Sequence, residues 1–231
     1  MQFSDLAMNL KASEIRELLK LTTMPEVISF AGGLPAPELF PTEQLKKVDD
    51  AILTKDGRAA LQYGTTEGYD PLRKQIAARM KQAFMVDCDI DNITITSGSQ
   101  QGLSMLAQIF INPGDVVLVE SPTYLGAIGA FDFEQPRYIE VPTDDDGIIP
   151  EELEKYLEST PNVKFIYVIP NYQNPTGRCM SLERRKKMME LVTKYEIPVF
   201  EDNPYGDLRF EGEEIAPLIT MDPKHLVMYS G

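Results

Sequence analysis

Residues 163–177 read VKFIYVIPNYQNPTG, and residues 198–210 read PVFEDNPYGDLRF. Each stretch begins with a short apolar run and ends in polar residues, a pattern typical of a buried strand that leads into a loop. In open α/β sheets, ligands bind in the crevice outside the carboxyl ends of the strands. We therefore expect Asn174, Asp202 and Tyr205 to lie around one pocket.

The side chains at this expected pocket are an amide, a carboxylate and a phenol. An ionised carboxylate only accepts hydrogen bonds, whereas the amide and the phenol can donate them. Together they suit a planar heteroaromatic ring that carries a protonated nitrogen and a hydroxyl group. Pyridoxal phosphate has both groups and a phosphate as well, so the pattern indicates this cofactor.

Strands and helices alternate from residue 92 onward. Predicted strands cover residues 92–96, 116–120, 138–141, 163–169, 199–201 and 226–229, and predicted helices cover 100–111, 150–157 and 181–195. This alternation favours a mostly parallel α/β sheet flanked by helices on both faces. Farther upstream, the pattern predicts a helix over residues 4–20 and another that begins at Asp70-Pro71, with the carboxylate as its cap.

Two further segments follow predicted strands and offer groups to such a ligand. Residues 96–102, TSGSQQG, join a strand to a helix, and the backbone N–H groups of a helix start favour a phosphate. Tyr124, in the stretch ESPTY, can lie flat against a planar ring. These segments extend the predicted site along the same edge of the sheet.

Composition argues against several classes of partner. The formal net charge is −14 at pH 7, whereas nucleic acids and anionic membranes attract basic surfaces. No apolar run approaches the length of a membrane span, and Cys88 and Cys179 show no short spacing of the kind found in metal or disulfide motifs. We therefore expect a cytoplasmic protein that binds neither nucleic acid nor membrane and has no metal site.

These ordered motifs resemble the class I/II aminotransferases of the fold type I pyridoxal-phosphate enzymes, in particular the aminoadipate and aromatic aminotransferase subgroup. The resemblance spans essentially all 231 residues and implies the fold type I large domain. It assigns the cofactor to Ser99, Gln100, Tyr124, Asn174, Asp202, Tyr205 and Ser230, with Tyr63 reaching the cofactor phosphate of a neighbouring subunit. Gly33, beside Gly32, and Asn174 would border the substrate.

The resemblance also implies a division of the chain. Residues 1–40 would form an N-terminal arm and the loop that borders the substrate, and residues 41–231 a partial pyridoxal-phosphate-binding large domain. The lysine that forms the Schiff base in the family would follow Gly231, as would the last strand of the large domain and the small domain. No residue of this chain is therefore assigned as catalytic, and Lys224 and His225 are not candidates.

The function implied by the resemblance is transfer of an amino group between an L-amino acid and a 2-oxo acid by a homodimer. The 231-residue chain alone is expected to be inactive. Three alternatives stay open: a pyridoxal-phosphate carbon–sulfur lyase, because fold and cofactor residues do not fix the reaction; a regulator that joins this fold to a DNA-binding module; and a non-catalytic binding or assembly fragment.

Overall fold

The computed structural model describes residues 33–231 together with residues 2–3, 7–8, 24 and 26–28. The chain divides into two compact units, Met1–Gly64 and Thr65–Gly231. The predicted helix over residues 4–20 and the candidate Gly32 lie outside the described residues, apart from positions 7–8. Among the described residues, we find no helix that combines the length and apolarity needed to cross a membrane.

The first unit contains a 3-10 turn, Pro37–Leu39, and a long helix, α1, Thr42–Ala60. Helical geometry is interrupted at Asp56, where φ is −142° and ψ is 27°. None of the residues of α1 is buried. Its apolar side chains recur at helical spacing and are about half exposed, namely Leu45, Val48, Ile52 and Leu53.

The second unit holds five helices and six strands within its described residues. The helices are α2 Asp70–Phe84, α3 Ser99–Phe110, α4 Leu125–Phe131, α5 Pro150–Ser159 and α6 Leu182–Tyr195. The strands are β1 Val116–Ser121, β2 Arg137–Asp144, β3 Gly147–Ile148, β4 Val163–Val168, β5 Val199–Asp202 and β6 Val227–Ser230.

The strands form one six-stranded sheet in the order β3-β2-β1-β4-β5-β6. Every pairing is parallel except that of β3, which returns along β2 as a short hairpin through Asp145 and Asp146. The expected mostly parallel sheet is therefore confirmed. The charged turn at residues 144–147 carries ion pairs from Asp144 to Arg184 and from Asp145 to Arg178.

Helices cover both faces of the sheet, as expected. On one face, α3 and α4 pack through Leu103, Leu106 and Phe131 onto strand residues such as Phe165 and Tyr167. On the other face lie α5, α6 and the 3-10 turn Leu218–Met221, and their apolar side chains contact the alternate strand residues, including Leu118, Ile166, Val168 and Val199. Alternation of side chains along each strand produces these two separate cores.

The predicted strand over residues 92–96 is wrong. Residues 90–92 form a 3-10 turn, and residues 93–96 have no strand partner in the described part of the chain. Their hydrogen bonds go elsewhere, because Ile95 N–H donates to the carbonyl of Glu67 and the buried Arg73 donates from Nε to the carbonyl of Ile93 at 3.0 Å. The segment is therefore fixed by α2 and by the turn before it.

The start of α2 also differs from the prediction in one detail. The helix begins at Asp70, and the N-cap position is Tyr69, which makes no side-chain cap. The Asp70 carboxylate instead accepts a hydrogen bond from Arg73 Nη1 at 3.1 Å. Pro71 occupies the first turn as expected, because its missing N–H is not needed there.

Candidate active site at the carboxyl edge of the sheet

Asp202 is the last residue of β5 and lies on the α3–α4 face, since Phe200 two residues earlier packs into that core. It is only 4% exposed. Its Oδ2 accepts a hydrogen bond from the phenol of Tyr167 on the neighbouring strand β4 at 2.8 Å. Sequence reasoning did not identify Tyr167, because this tyrosine lies within the apolar run of residues 163–169 and was counted as part of it.

The surroundings of Asp202 do not fully offset the cost of burying its negative charge. Burial raises the pKa of its carboxyl group, and the hydrogen bond from Tyr167 only partly opposes this rise. Burial and the nearby Asp202 carboxylate in turn raise the pKa of the Tyr167 phenol, which therefore remains a donor. Among the described residues, this phenol is the one hydrogen-bond donor to the Asp202 carboxylate. The carboxylate can accept further hydrogen bonds and would gain from a cationic partner.

The turn before α3 exposes the start of a helix at the same edge. Gly98, with φ of +85°, is the N-cap residue and has no side chain to satisfy the first N–H groups, which have no partner inside a helix. Ser99 and Gln100 follow and are exposed. The Gln100 side chain donates from Nε2 to the carbonyl of Gly126 at 3.1 Å and so ties this turn to α4.

Tyr124 is the N-cap residue of α4, and its ring lies against the first turn of that helix. A Cβ atom at Gly126 would be 2.3 Å from the phenol carbon and oxygen of Tyr124, so a larger residue there would displace the ring. Tyr124 also packs against the α3–α4 core. Glycine at position 126 is a requirement that sequence reasoning did not identify.

Asn174 and Tyr205 meet as expected. The Asn174 Nδ2 atom donates to the Tyr205 hydroxyl at 3.3 Å, and both residues are partly buried. Gly177 has φ of +71°, which fits the expected tight reversal after Asn174.

Ser230 lies beside Asp202. Strands β5 and β6 are parallel, and Ser230 is the register partner of Asp202. The carbonyl of Ser230 accepts a hydrogen bond from Asn203 N–H at 2.8 Å. Two expected cofactor-binding residues are thus brought together across neighbouring strands.

Two remaining candidates belong to the first unit, and two residues that were not candidates precede β6. Gly33 and Tyr63 belong to the first unit, where Gly33 has φ of +53° and Tyr63 is 99% exposed. Lys224 and His225 precede β6 and so lie at the amino end of that strand. The Lys224 ammonium group donates to Glu196 at 2.7 Å and to the carbonyl of Thr193 at 3.1 Å, a structural role that accounts for this lysine.

On the α5–α6 face, the fully buried Arg185 was also missed. Its guanidinium group donates to four carbonyl oxygens and to an amide oxygen, those of Met180, Ile215, Ala216, Pro170 and Asn171. The signal in the sequence was an arginine at helical spacing from Met188, Met189 and Val192, all of which are buried. This side chain joins α6 to the loops that follow β4 and precede Leu218.

Two buried glutamates lie on the same face as Arg185. Burial raises the pKa of Glu120 to about 8, against the opposing effect of hydrogen bonds from Ile169 N–H and Gln173. Burial likewise raises the pKa of Glu201 to about 7, although two backbone N–H groups and the charge of Arg185 act in the opposite direction. Both carboxylates hold segments of the fold together.

A chain of amides connects Arg185 to the strand ends beside Asp202. Arg185 Nη2 donates to Asn171 Oδ1 at 2.6 Å, and Asn171 Nδ2 donates to Asn203 Oδ1 at 2.7 Å. Asn203 Nδ2 then donates to the Tyr229 hydroxyl at 2.7 Å. Because a guanidinium group only donates, it sets the direction of each hydrogen bond in this chain.

Comparison with known proteins agrees with this arrangement. The family model "Aminotransferase class I and II" matches residues 30–231. An aromatic-amino-acid aminotransferase from Thermococcus litoralis is 45% identical over 233 residues, which cover 99% of this chain and 56% of that protein. The chain thus spans little more than half the length of this relative.

Two solved structures are similar in both sequence and fold. A crystal structure of Pyrococcus horikoshii kynurenine aminotransferase, in complex with PMP, KYN as substrates and KYA as products, has a TM-score of 0.92 and 43% identity, and covers 98% of this chain and 57% of that one. The α-aminoadipate aminotransferase from Thermus thermophilus, complexed with N-(5'-phosphopyridoxyl)-L-leucine, has a TM-score of 0.86 and 38% identity over 98% of this chain and 56% of that one. With its carboxyl-edge cluster and this agreement over nearly its whole length, the chain belongs to the class I and II aminotransferases.

Proposed function

We propose that the protein binds pyridoxal phosphate at the carboxyl edge of the sheet and takes part in the transfer of an amino group between an L-amino acid and a 2-oxo acid. The observation that carries the proposal is Asp202, a carboxylate that is 4% exposed and has a phenol as its hydrogen-bond donor. The relatives described as aromatic-amino-acid, kynurenine and α-aminoadipate aminotransferases support the same reaction class.

The residues of this edge fit the chemical groups of pyridoxal phosphate. A buried carboxylate whose pKa is raised by burial is stabilised by a protonated pyridine nitrogen, which supplies the missing positive charge. The uncapped start of α3 at Ser99 and Gln100 offers backbone N–H groups to a phosphate. The contact between Asn174 and Tyr205 supplies an amide and a phenol that can donate to the ring oxygen.

Each residue of the site has a distinct part in the proposed reaction. When bound, pyridoxal phosphate supplies an electron sink for the substrate α-carbon. Asp202 holds a proton at the ring nitrogen, and Tyr167 fixes the orientation of the carboxylate. Tyr124, supported by Gly126, covers a face of the ring and excludes water from it.

The remaining residues bind and orient the cofactor and the substrate. Asn174 and Tyr205 hold the ionised ring oxygen, and Asn174 together with Gly33 borders the substrate. Ser99 and Gln100 hold the phosphate, and Ser230, beside Asp202, also binds the cofactor. Residues 1–40 form the arm and the substrate-bordering loop, and residues 41–231 the partial cofactor-binding domain.

Absorbance titration tests the cofactor proposal directly. Adding pyridoxal phosphate to the purified protein should give a saturable spectral change. Asp202→Ala should raise the dissociation constant obtained from this titration by about ten-fold or more, equivalent to ~1.4 kcal/mol. Because the 231-residue chain alone is expected to be inactive, the reaction class is tested on a chain extended through the family's lysine, by the formation of glutamate from aromatic amino acids, kynurenine or 2-aminoadipate with 2-oxoglutarate. A protein that gives no saturable change with the cofactor contradicts the proposal.

We also propose that the protein is a homodimer in the cytoplasm. The exposed phenol of Tyr63, at 99%, is available to the cofactor phosphate of a second copy, and α1 presents apolar side chains that a second copy could cover. The free cysteines Cys88 and Cys179 fit a reducing compartment. Light scattering should give the mass of two chains, and a clean monomer across micromolar concentrations would contradict the dimer. Cell fractionation tests the compartment.

A further inference from the structure

The side chain of Gln173, the residue before Asn174, contacts both the segment that carries Tyr124 and the turn that contains Asn174. The segment of Tyr124 follows β1, that of Asn174 follows β4, and these two strands are neighbours in the sheet. Gln173 is 5% exposed, so its amide must satisfy its hydrogen bonds within the protein. Its two ends do so with different segments.

The nitrogen end of the amide contacts the Tyr124 segment. Gln173 Nε2 donates to the carbonyl of Pro122 at 2.8 Å, two residues before Tyr124. The same atom lies 3.4 Å from Glu120 Oε2. Glu120 is itself anchored, because its Oε2 accepts from Ile169 N–H at 2.9 Å. This end of Gln173 therefore holds the backbone that leads to the ring-covering tyrosine.

The oxygen end of the amide shapes the Asn174 turn. Gln173 Oε1 accepts from the backbone N–H of Thr176 at 2.9 Å and from its hydroxyl at 2.8 Å. The Gln173 backbone closes the same turn, since its N–H donates to the carbonyl of Arg178 at 2.8 Å. Asn174 and Pro175 are thus enclosed in a turn whose shape depends on this side chain.

Glutamine is well matched to this position among the twenty residue types. The bridge needs a donor at one end and an acceptor at the other, at the length of a glutamine side chain. Glutamate of the same length lacks the donor when ionised, and leucine of similar volume lacks both groups. A buried carbonyl or N–H that loses such a partner is left unsatisfied, so the two segments would have to move.

We propose that Gln173 is a positioning residue that keeps Tyr124 and Asn174 in fixed register, so that one covers the ring while the other binds its oxygen. This positioning role rests on the proposed function, because Tyr124 and Asn174 are proposed to bind the cofactor ring. The bridge itself can be tested without the cofactor. Gln173 acts through its neighbours and does not touch the ring.

The first experiment measures backbone hydrogen exchange without added ligand. Gln173→Leu should speed exchange by about ten-fold or more in residues 120–126 and residues 174–178 together, because both segments lose an anchor. Thr176→Val removes the two contacts of the hydroxyl, with Gln173 Oε1 and with the Arg178 N–H, and should affect residues 174–178 alone. Leu153→Ala, which opens a cavity at a fully buried position on α5, controls for a general loss of stability. Unchanged exchange in residues 120–126 of Gln173→Leu overturns the bridge.

The second experiment titrates pyridoxal phosphate and an analogue that lacks the ring hydroxyl. Gln173→Leu should weaken binding of pyridoxal phosphate by about ten-fold or more, and binding of the analogue by less, because the analogue never used Asn174. Leu153→Ala should weaken neither. If the unaltered protein binds and Gln173→Leu binds equally well, the positioning role is overturned while the proposed function stands. If the unaltered protein does not bind pyridoxal phosphate, both the proposed function and the positioning role are wrong. The hydrogen-exchange experiment then still shows whether Gln173 links the two segments.

Discussion

At the carboxyl edge of the sheet, the buried carboxylates on the two faces differ in their hydrogen-bond donors. On the α5–α6 face, Glu120 and Glu201 accept hydrogen bonds from backbone N–H groups of neighbouring segments. On the α3–α4 face, Asp202 accepts from the phenol of Tyr167. Backbone amides are part of the fold and fix the first pair in place. A single phenol leaves Asp202 able to bind something else, and this difference separates structural carboxylates from the candidate functional one.

The largest effect on stability is expected from the α5–α6 face. Arg185→Met removes hydrogen bonds to five acceptors and leaves Glu201 without its buried cation. We expect a loss of more than about 3 kcal/mol in the free energy of unfolding, because each buried acceptor that loses its donor costs roughly 1–3 kcal/mol. Urea unfolding measures it. Lys186→Met, at the exposed neighbouring position, should change stability by less than about 0.5 kcal/mol, and equal effects of the two variants would refute the structural role of Arg185.

Glu120 predicts a pH dependence of stability. Its pKa is raised to about 8 in the folded protein from an ordinary value of 4.5, so the folded state holds one more proton than the unfolded state between these values. Stability should therefore fall as pH rises from about 5 to 8. Glu120→Gln resembles the protonated form and should be more stable than the unaltered protein at pH 9 by about 2–3 kcal/mol, with little difference at pH 5. Parallel curves for the two proteins would contradict the buried, protonated carboxyl group.

Tyr167→Phe tests the single hydrogen bond on the α3–α4 face. The ring still packs against Phe131 and Phe200, but Asp202 loses its donor. Since this bond lowers the pKa of Asp202, its loss costs more when the carboxylate is ionised. We expect about 1–2 kcal/mol at pH 8 and less at low pH, measured by urea unfolding. Tyr156→Phe, on α5, is the control, and a loss that does not vary with pH would argue against an ionised Asp202.

The smallest effect is expected at the amino end of the strands. Lys224→Met removes a half-exposed ion pair with Glu196, which should change stability by less than about 1 kcal/mol. It should leave the affinity for pyridoxal phosphate unchanged within about two-fold. Borohydride reduction of the protein with the cofactor, followed by peptide mapping, should show no pyridoxyl group on Lys224. A stoichiometric adduct there would mean that the site lies elsewhere.

The sequence predicted the elements whose signals are local. Short apolar runs between turn residues correspond to β1, β4, β5 and β6, and the residues that follow them converge at one edge, as the geometry of parallel strands requires. Residues 92–96 looked similar but are not a strand, because pairing depends on a neighbour that local pattern does not reveal. The short helix α4 escaped notice for a related reason, since its residues LGAIGA have little periodicity.

The buried polar residues could not be predicted because their partners are far apart in sequence. Gln173 meets Pro122 across two strands, and Arg185 meets Ala216 across a loop. A polar residue at the end of an apolar run, such as Glu120 after VVLV, is the available signal. That signal cannot tell a carboxylate satisfied by backbone amides from one that awaits a ligand. Glu201 and Asp202 are adjacent in sequence; the resemblance assigned the cofactor to Asp202, and the structure shows how the hydrogen-bond donors of the two carboxylates differ.

Nitrogen NMR of bound pyridoxal phosphate, labelled at its ring nitrogen, tests this separation most directly. The unaltered protein and Glu201→Gln should both hold the ring nitrogen protonated near pH 8 and bind with similar affinity. In Asp202→Asn the nitrogen should be deprotonated and binding about ten-fold weaker or more, equivalent to ~1.4 kcal/mol. A protonated nitrogen and unchanged affinity in Asp202→Asn would contradict the assignment of Asp202 as the partner of the ring.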